Sequence, residues 1–383
     1  NTLKAGTGLI NNFAVDVRLS NLVSDGFIDR ASANMKSYFV SAGYYGNKTM
    51  LKFMTFGGIE KTYQAWNGVD LDNYPRTYNE LGKYTDSNGN TQFYKNQTDD
   101  YGQYHYQLHL TQILSPSLSL NAALHYTRGI GFYEEYKTDR KYAEYGLTPA
   151  VANGEPLEET DLVRQKWLDN HFGGATFSLN YQKEKYALIV GGAANKYAGD
   201  HYGKVIWVRN ANNLNIDYQY YFNKSTKTDA NVYGKVNYHL FNNLLAYIDL
   251  QYRYIQLNMN GKDDKYDAET GTMRVLSNQK PFHFFNPKVG LSYKINTANS
   301  VFASFAVANR EPNRNNYTDA GPNEKPTSER LYDTELGYNH QSDGFSFGAN
   351  VYFMRYKNQL ILNGKMSEIG ELLTSNIPDS YRT

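Results

Sequence analysis

His105 and His109 stand four residues apart in a tyrosine-rich segment and are the first candidates for a metal pair. On a strand that spacing separates them by about 13 Å, at roughly 3.3 Å per residue, so one ion cannot bridge them. The run Asp263-Asp264-Lys265-Tyr266-Asp267-Ala268-Glu269-Thr270-Gly271 is dense in carboxylates. It lacks the oxygen spacing and central glycine of an EF-hand and reads as a solvated charged loop. Gly6-Thr7-Gly8 sits in no βαβ unit, and Gly191-Gly192 with Gly199 lacks the Gly-Lys-Ser/Thr of a phosphate loop. No Ser, His and Asp spacing and no glycosidase-like carboxylate pair stands out. The chain has no Cys, hence no thiolate nucleophile, zinc-thiolate site or disulfide framework. The residues therefore predict no catalytic group, no metal site and no cofactor, and the protein is not expected to be an enzyme.

The chemistry left is recognition. Trp66, Tyr74, Tyr94, Trp167, Tyr202, Trp207 and Tyr220 fall in long polar stretches that read as loops, among many amides. Rings offer contact area at low entropy cost and amides fix orientation, so these seven are the candidate ligand contacts. A second set is charged. Arg310, Glu311 and Arg314 sit where a strand ends, and Asp333 and Glu335 share one face of the next strand.

What must position them is a series of strands. In residues 244–254, Leu244, Ala246, Ile248, Leu250, Tyr252 and Tyr254 share one face, and Tyr247, Asp249, Gln251 and Arg253 share the other. The same alternation holds at Val15, Val17 and Leu19 against Asp16 and Arg18. It holds at Leu118 to Tyr126 against Ser119, Asn121 and His125, and at Phe285, Val289, Leu291 and Tyr293 against Lys288 and Lys294. Charge sits on one face only, and the apolar face often ends in Tyr. Charges in a wet lumen cost little, whereas Lys or Arg at a bilayer midplane costs about 2–4 kcal/mol. Connections alternate as well. Tight turns at 45–48, 115–117, 183–185, 242–243, 296–300 and 342–344 are interleaved with long stretches at 66–101, 134–172, 200–228, 260–281 and 310–329. Short turns at one rim and long loops at the other describe an up-and-down membrane barrel. The fold class is thus all-β, a transmembrane antiparallel barrel wall of roughly fourteen strands. A soluble β-rich adhesin or glycan-binding domain would instead spread charge over both faces and keep its loops alike at both ends.

Composition agrees. The 383 residues include 36 Tyr and 19 Phe, which suits β-structure and interfacial aromatic belts. Lys and Arg number 39 against 38 acidic residues, so no polyanion is implied as partner, nucleic acid included. No apolar run is long enough for a membrane helix. The chain begins at Asn1 with no charged-then-apolar leader, as a processed or cut chain would.

Three stretches are more specific: Ser24 to Arg30, Asn309 to Asp319 (Asn-Arg-Glu-Pro-Asn-Arg-Asn-Asn-Tyr-Thr-Asp), and Lys325 to Tyr338. In this order they resemble the barrel of TonB-dependent outer-membrane receptors, particularly of the Bacteroidetes type. Glu329, Leu331, Glu335 and Gly337 match that family's Pro-Glu-x-Leu-x-x-x-Glu-x-Gly strand, with Ser328 where the pattern has Pro. The resemblance implies a plugged barrel of the 22-stranded transporter type, with residues 1–383 forming part of that one domain and the plug and last strands lying outside this chain. It implies a bacterial outer-membrane location and energy-coupled uptake of a scarce nutrient (an iron chelate, a corrinoid or a glycan) by movement of the plug. The implied partners are outer-membrane lipid, the receptor's own plug, the TonB–ExbB–ExbD complex and, as a further option, a surface lipoprotein. Arg310, Glu311, Arg314, Asp333 and Glu335 would then face the plug or pin a loop. A passive porin and a barrel-type enzyme are the competing readings; the second needs a catalytic cluster that the residues do not supply.

Overall fold

The computed structural model describes residues 1–211, 217–320, 324–366 and 372–383. Its main element is one antiparallel sheet of 15 strands, paired strictly in chain order. We number them β1 (Thr2–Gly6), β2 (Phe13–Ser24), β3 (Ala33–Tyr45), β4 (Thr49–Tyr63), β5 (Thr98–Ser115), β6 (Leu118–Lys141), β7 (Glu159–Gln182), β8 (Tyr186–Val208), β9 (Tyr218–Phe241), β10 (Leu244–Asp267), β11 (Thr272–Lys294), β12 (Asn299–Arg310), β13 (Glu329–Ser342), β14 (Phe345–Met366) and β15 (Leu372–Arg382). All six anticipated tight turns join consecutive strands on one rim. The opposite rim carries the long connections, among them 64–97, 142–158 and 311–328, the last holding a one-turn helix α1 (Arg314–Thr318). Among the described residues no helix is long and apolar enough to cross a membrane, so any crossing falls to the strands.

Register keeps the apolar residues on one face. Val236 pairs with Ile248, which pairs with Val289, which pairs with Phe305. Ala303 pairs with Leu336, which pairs with Val351. Among the described residues no second layer covers this face: Val232 is 58 % exposed, Ile248 50 %, Phe285 57 % and Val351 71 %. A contiguous apolar face left open over so many strands is a lipid-facing surface, since soluble chains rarely expose large apolar patches. A soluble β-sheet with a packed face is thereby set aside. On β6 the outward stripe runs Leu118, Leu120, Ala122, Leu124, Tyr126, nine residues end to end, which matches the length a strand needs to cross hydrocarbon. Tyr126 and Tyr252 close the stripe with rings, hydrogen-bonded to His171 Nδ1 at 2.7 Å and His283 Nδ1 at 2.6 Å.

The opposite face is polar and concave. Lys166 on β7 reaches Asp264 on β10 although two strands lie between them. At about 4.8 Å per strand a flat sheet would leave that gap too wide for the two side chains.

The strands run on past the lipid, farther than the alternating pattern predicts. β6 to β11 each run 23 or 24 residues. Of the stretch read as loop 134–172, only 142–158 joins strands; that at 260–281 shrinks to 268–271, and that at 200–228 to 209–217, of which 212–216 lie outside the described residues. Trp167, Tyr202, Trp207 and Tyr220 therefore lie on strands, not loops. Asp263 and Asp264 belong to β10 and are ion-paired rather than loosely solvated. Above the lipid the backbone ladder continues, but outward positions no longer have to be apolar, so the period-two signal ends before the strand does.

Candidate functional site

Lys166, Arg164, Asn223, Ser225, Lys227, Arg253, Asp263 and Asp264 all lie on the inner face of β7, β9 and β10, beyond the lipid stripe or near its upper edge. Ion pairs tie several of them to other strands. Arg164 lies 2.8 Å from Glu135 and donates to Tyr145 Oη. Lys166 pairs with Asp264, and Arg274 with Asp263. Arg253 holds Asp229 at 2.5 Å.

The connection after β12 folds down onto this inner face. Glu311, only 8 % exposed at its side chain, accepts from Lys227 Nζ at 2.5 Å and from Arg253 at 3.4 Å. Pro312 is fully buried. Asn313 caps α1 through a reciprocal pair of bonds with Asn316. Arg314 donates to Asn223 Oδ1 at 2.8 Å and to Ser225. Burial draws the Arg314 pKa below its usual value. Tyr317 packs on Leu257, Met259 and Leu276. Burial, aided by Glu311, pushes its hydroxyl up to about 12. Lys265 Nζ closes the strap on Asp319 Oδ1 and the Thr318 carbonyl, both at 2.8 Å. The stretch Arg310 to Asp319 is thus a strap across the inner wall, and each charged or aromatic residue in it has an assigned partner.

Beside the strap lies a cavity of about 510 Å³, lined by Tyr133, Lys166, His201, Tyr221, Asp263, Asp264, Lys265 and Arg314 with the end of the helix. Its cations and carboxylates lie side by side, and a charged solute can take the place of either partner in a pair. Among the described residues no group of three or more His, Asp and Glu is placed to hold a metal ion. His105 and His109 are both on the inner face of β5; His105 stacks on Phe56 at 4.5 Å and His109 bonds Gln107.

The anticipated ligand contacts divide into separate places. Trp66 reaches Tyr133, a lining residue, with ring centroids 5.4 Å apart. Tyr220 is buried in an inner cluster with Tyr142, Tyr145, Leu162 and Tyr221. Trp167 and Tyr202 stack 5.8 Å apart on the outer face, and Tyr74 stacks on Tyr78 in the connection 64–97. Tyr94 donates to Glu134 at 2.5 Å and lies near Tyr136 and, beyond it, Trp207. Burial and Glu134 push the Tyr94 hydroxyl well up. Of the seven, Trp167 lines the lumenal cavity itself, while Trp66 and Tyr220 pack on its lining residues Tyr133 and Tyr221. Lys166 was not singled out, and Asp264 and Lys265 read as solvated loop, because they sit in stretches whose strands give no alternating signal.

Of the charged set, Arg310, Glu311 and Arg314 belong to the strap, and Arg310 anchors its start by bridging Glu329 at 3.0 Å across the β12–β13 pair. Asp333 and Glu335 are half-buried on the inner face of β13, opposite in parity to the exposed Leu336, and Asp333 Oδ1 is shielded with no hydrogen-bond partner among the described residues. Gly337 has a steric reason: a Cβ there would run into the Phe302 ring and Asn350.

A long meander, an uncovered apolar band, tyrosines at its edge and a charged lumen define a membrane β-barrel wall. Residues 43–382 match the family model described as TonB dependent receptor-like, beta-barrel, and the chain belongs to that family. These are outer-membrane transport receptors rather than enzymes, coupled to TonB and fitted with a plug. Among solved structures, the chain is similar to the ferric-catecholate import receptor Fiu of E. coli K12 at 10 % identity, covering 99 % of this chain and 58 % of that one, with TM-score 0.67. It is similar to the copper transporter OprC at 12 % identity, covering 99 % and 56 %, with TM-score 0.66. It is also similar to the siderophore receptor PiuA of Acinetobacter baumannii at 10 % identity, covering 99 % and 57 %, with TM-score 0.66. At such identities the likeness establishes the fold, and the chain spans a little over half of each relative. No curated protein sequence matches it.

Proposed function

We propose that this chain is wall of a bacterial outer-membrane receptor that takes up a scarce nutrient through movement of a plug driven by the TonB–ExbB–ExbD complex. The observation that carries this reading is the pairing of an open lipid band with a charged inner cavity closed on one side by the 310–319 strap. Within the anticipated range of iron chelate, corrinoid or glycan, a charged metal chelate fits best. Lys166, Lys265 and Arg314 face the same space and can exchange carboxylate partners for an anionic ligand. Ferric catecholate, the cargo printed for the structural relative Fiu, is of this class. Asp333 with its unpartnered oxygen, and Glu335 beside it, are suited to donors on a plug surface. Membership of the Bacteroidetes-type subset, and with it a surface lipoprotein partner, rests on the motifs at 24–30, 309–319 and 325–338.

The test is uptake of labelled ferric chelates, corrinoid and oligosaccharides by a deletion strain complemented with the receptor. We expect accumulation of one ligand that stops when TonB is removed, and that falls with Arg314→Ala. Accumulation that persists without TonB would instead assign a passive porin.

A further inference from the structure

A second aromatic site lies on the other side of the wall. Tyr136 on β6, Val163 on β7 and Trp207 on β8 are cross-strand neighbours on the outer face. The short hairpin at 83–93 and the residue that follows it bring Tyr84 and Tyr94 against them. Tyr84 stacks on Tyr136 with centroids 4.5 Å apart, Tyr94 and Trp207 each lie 5.7 Å from Tyr136, and Trp207 keeps 44 % of its surface open. The rings border a trough of about 620 Å³ that also meets Asp86, Ser87 and Arg209. Arg209 is held in place by Asp161 at 2.7 Å, the Tyr136 hydroxyl at 3.0 Å and the Thr85 carbonyl at 3.0 Å.

We propose that this trough binds a pyranose ring. Flat aromatic surface suits the apolar C–H face of a sugar, while a fixed guanidinium and a carboxylate suit its rim of hydroxyls. The volume lies within the range of small-molecule sites. Its position decides what can reach it. The β7 ladder separates it from the lumen, so a solute bound there is not on the transport path. It stands ten residues above Tyr126 along β6, about 33 Å of strand, well clear of the hydrocarbon. Saccharide at that height comes from two sources, the sugar chains carried by the membrane's own outer leaflet or free glycan in the medium. This site is independent of the cargo assigned to the lumen.

The experiment uses the full receptor in lipid nanodiscs, with two probes: polysaccharide released by mild acid from the host's lipopolysaccharide, and maltopentaose. Binding is read by saturation-transfer NMR and tryptophan fluorescence. Wild type is expected to bind at least one probe, Trp207→Ala and Tyr84→Ala to weaken it about tenfold, and Trp207→Phe and Trp66→Ala to keep it. Binding of the released polysaccharide assigns the membrane as source, and binding of maltopentaose alone assigns free glycan; either supports the site. Absence of binding by both probes overturns the proposal. So does an unchanged affinity in Trp207→Ala, with folding of each variant checked by its heat-dependent gel mobility.

Discussion

Each of the central strands is two different objects end to end. From Leu118 to Tyr126, β6 has one face against lipid and one against water, and every second residue declares it. From Thr127 to Lys141 the same strand has no lipid beside it. There Glu134 and Tyr136 are buried under the connection 64–97, and Glu135 is buried with Arg164 on the other side. Solvent type, not the backbone ladder, writes the alternating pattern. Where protein replaces lipid as the neighbour, specific ion pairs take over from a general apolar stripe.

The sharpest way to test that contrast is to break one element of each half. Glu135→Leu leaves Arg164, whose side chain is 6 % exposed, without its carboxylate. It should destabilise the upper half by about 3–5 kcal/mol, whereas replacing both partners with apolar residues should be close to neutral. Urea unfolding of vesicle-inserted protein reads the difference; equal losses in the single and double variants would mean that the pair is not what holds this region. In the lower half, Ile248→Arg puts a charge near the middle of the lipid stripe and should cost about 2–4 kcal/mol. Gln251→Arg, on the inner face of the same strand, loses only the bond that Gln251 Oε1 accepts from Asn286 at 3.0 Å and should cost about 1 kcal/mol. A small effect at Ile248 would remove the lipid from that face altogether.

The same contrast explains what the sequence disclosed. The six tight turns, the alternating stripe and the common face of Asp333 and Glu335 were legible because period two and turn residues are local signals. Strand ends were not legible at β7 to β11. Beyond Phe172 toward Glu159, for example, charged and apolar residues fall on both faces, since each is satisfied by a particular partner far away in sequence. Lys166 and Asp264 lie 98 positions apart. The loop motif Arg310 to Asp319 could be noticed, but its inward fold could not, because that depends on Lys227, Arg253 and Leu257 from other strands. Aromatic content pointed to recognition without saying which face each ring would take. Trp66 and Trp207 ended on different sides of the problem, one beside the lumenal cavity and one on the outer wall.

Between the two halves lies the strap, and it permits a graded test. Glu311→Gln keeps the shape but removes the charge that joins Lys227 to Arg253. It should loosen the strap by about 1.5–3 kcal/mol, seen as faster proteolysis within 311–320. Asn313→Ala removes less. Its side chain accepts from the Asn316 amide at 2.9 Å, and its own amide donates to Asn316 Oδ1 at 2.7 Å. Only the first of these bonds depends on the Asn313 side chain, so the loss should be about 1 kcal/mol. Because Glu311, Arg314 and Tyr317 still hold the strap on either side, the effect should stay local: hydrogen exchange should rise roughly fivefold at residues 314–318 while β9 and β10 remain unchanged. Exchange that instead rose across β9 and β10 would show that α1 is a keystone of the inner wall, not a segment resting on it.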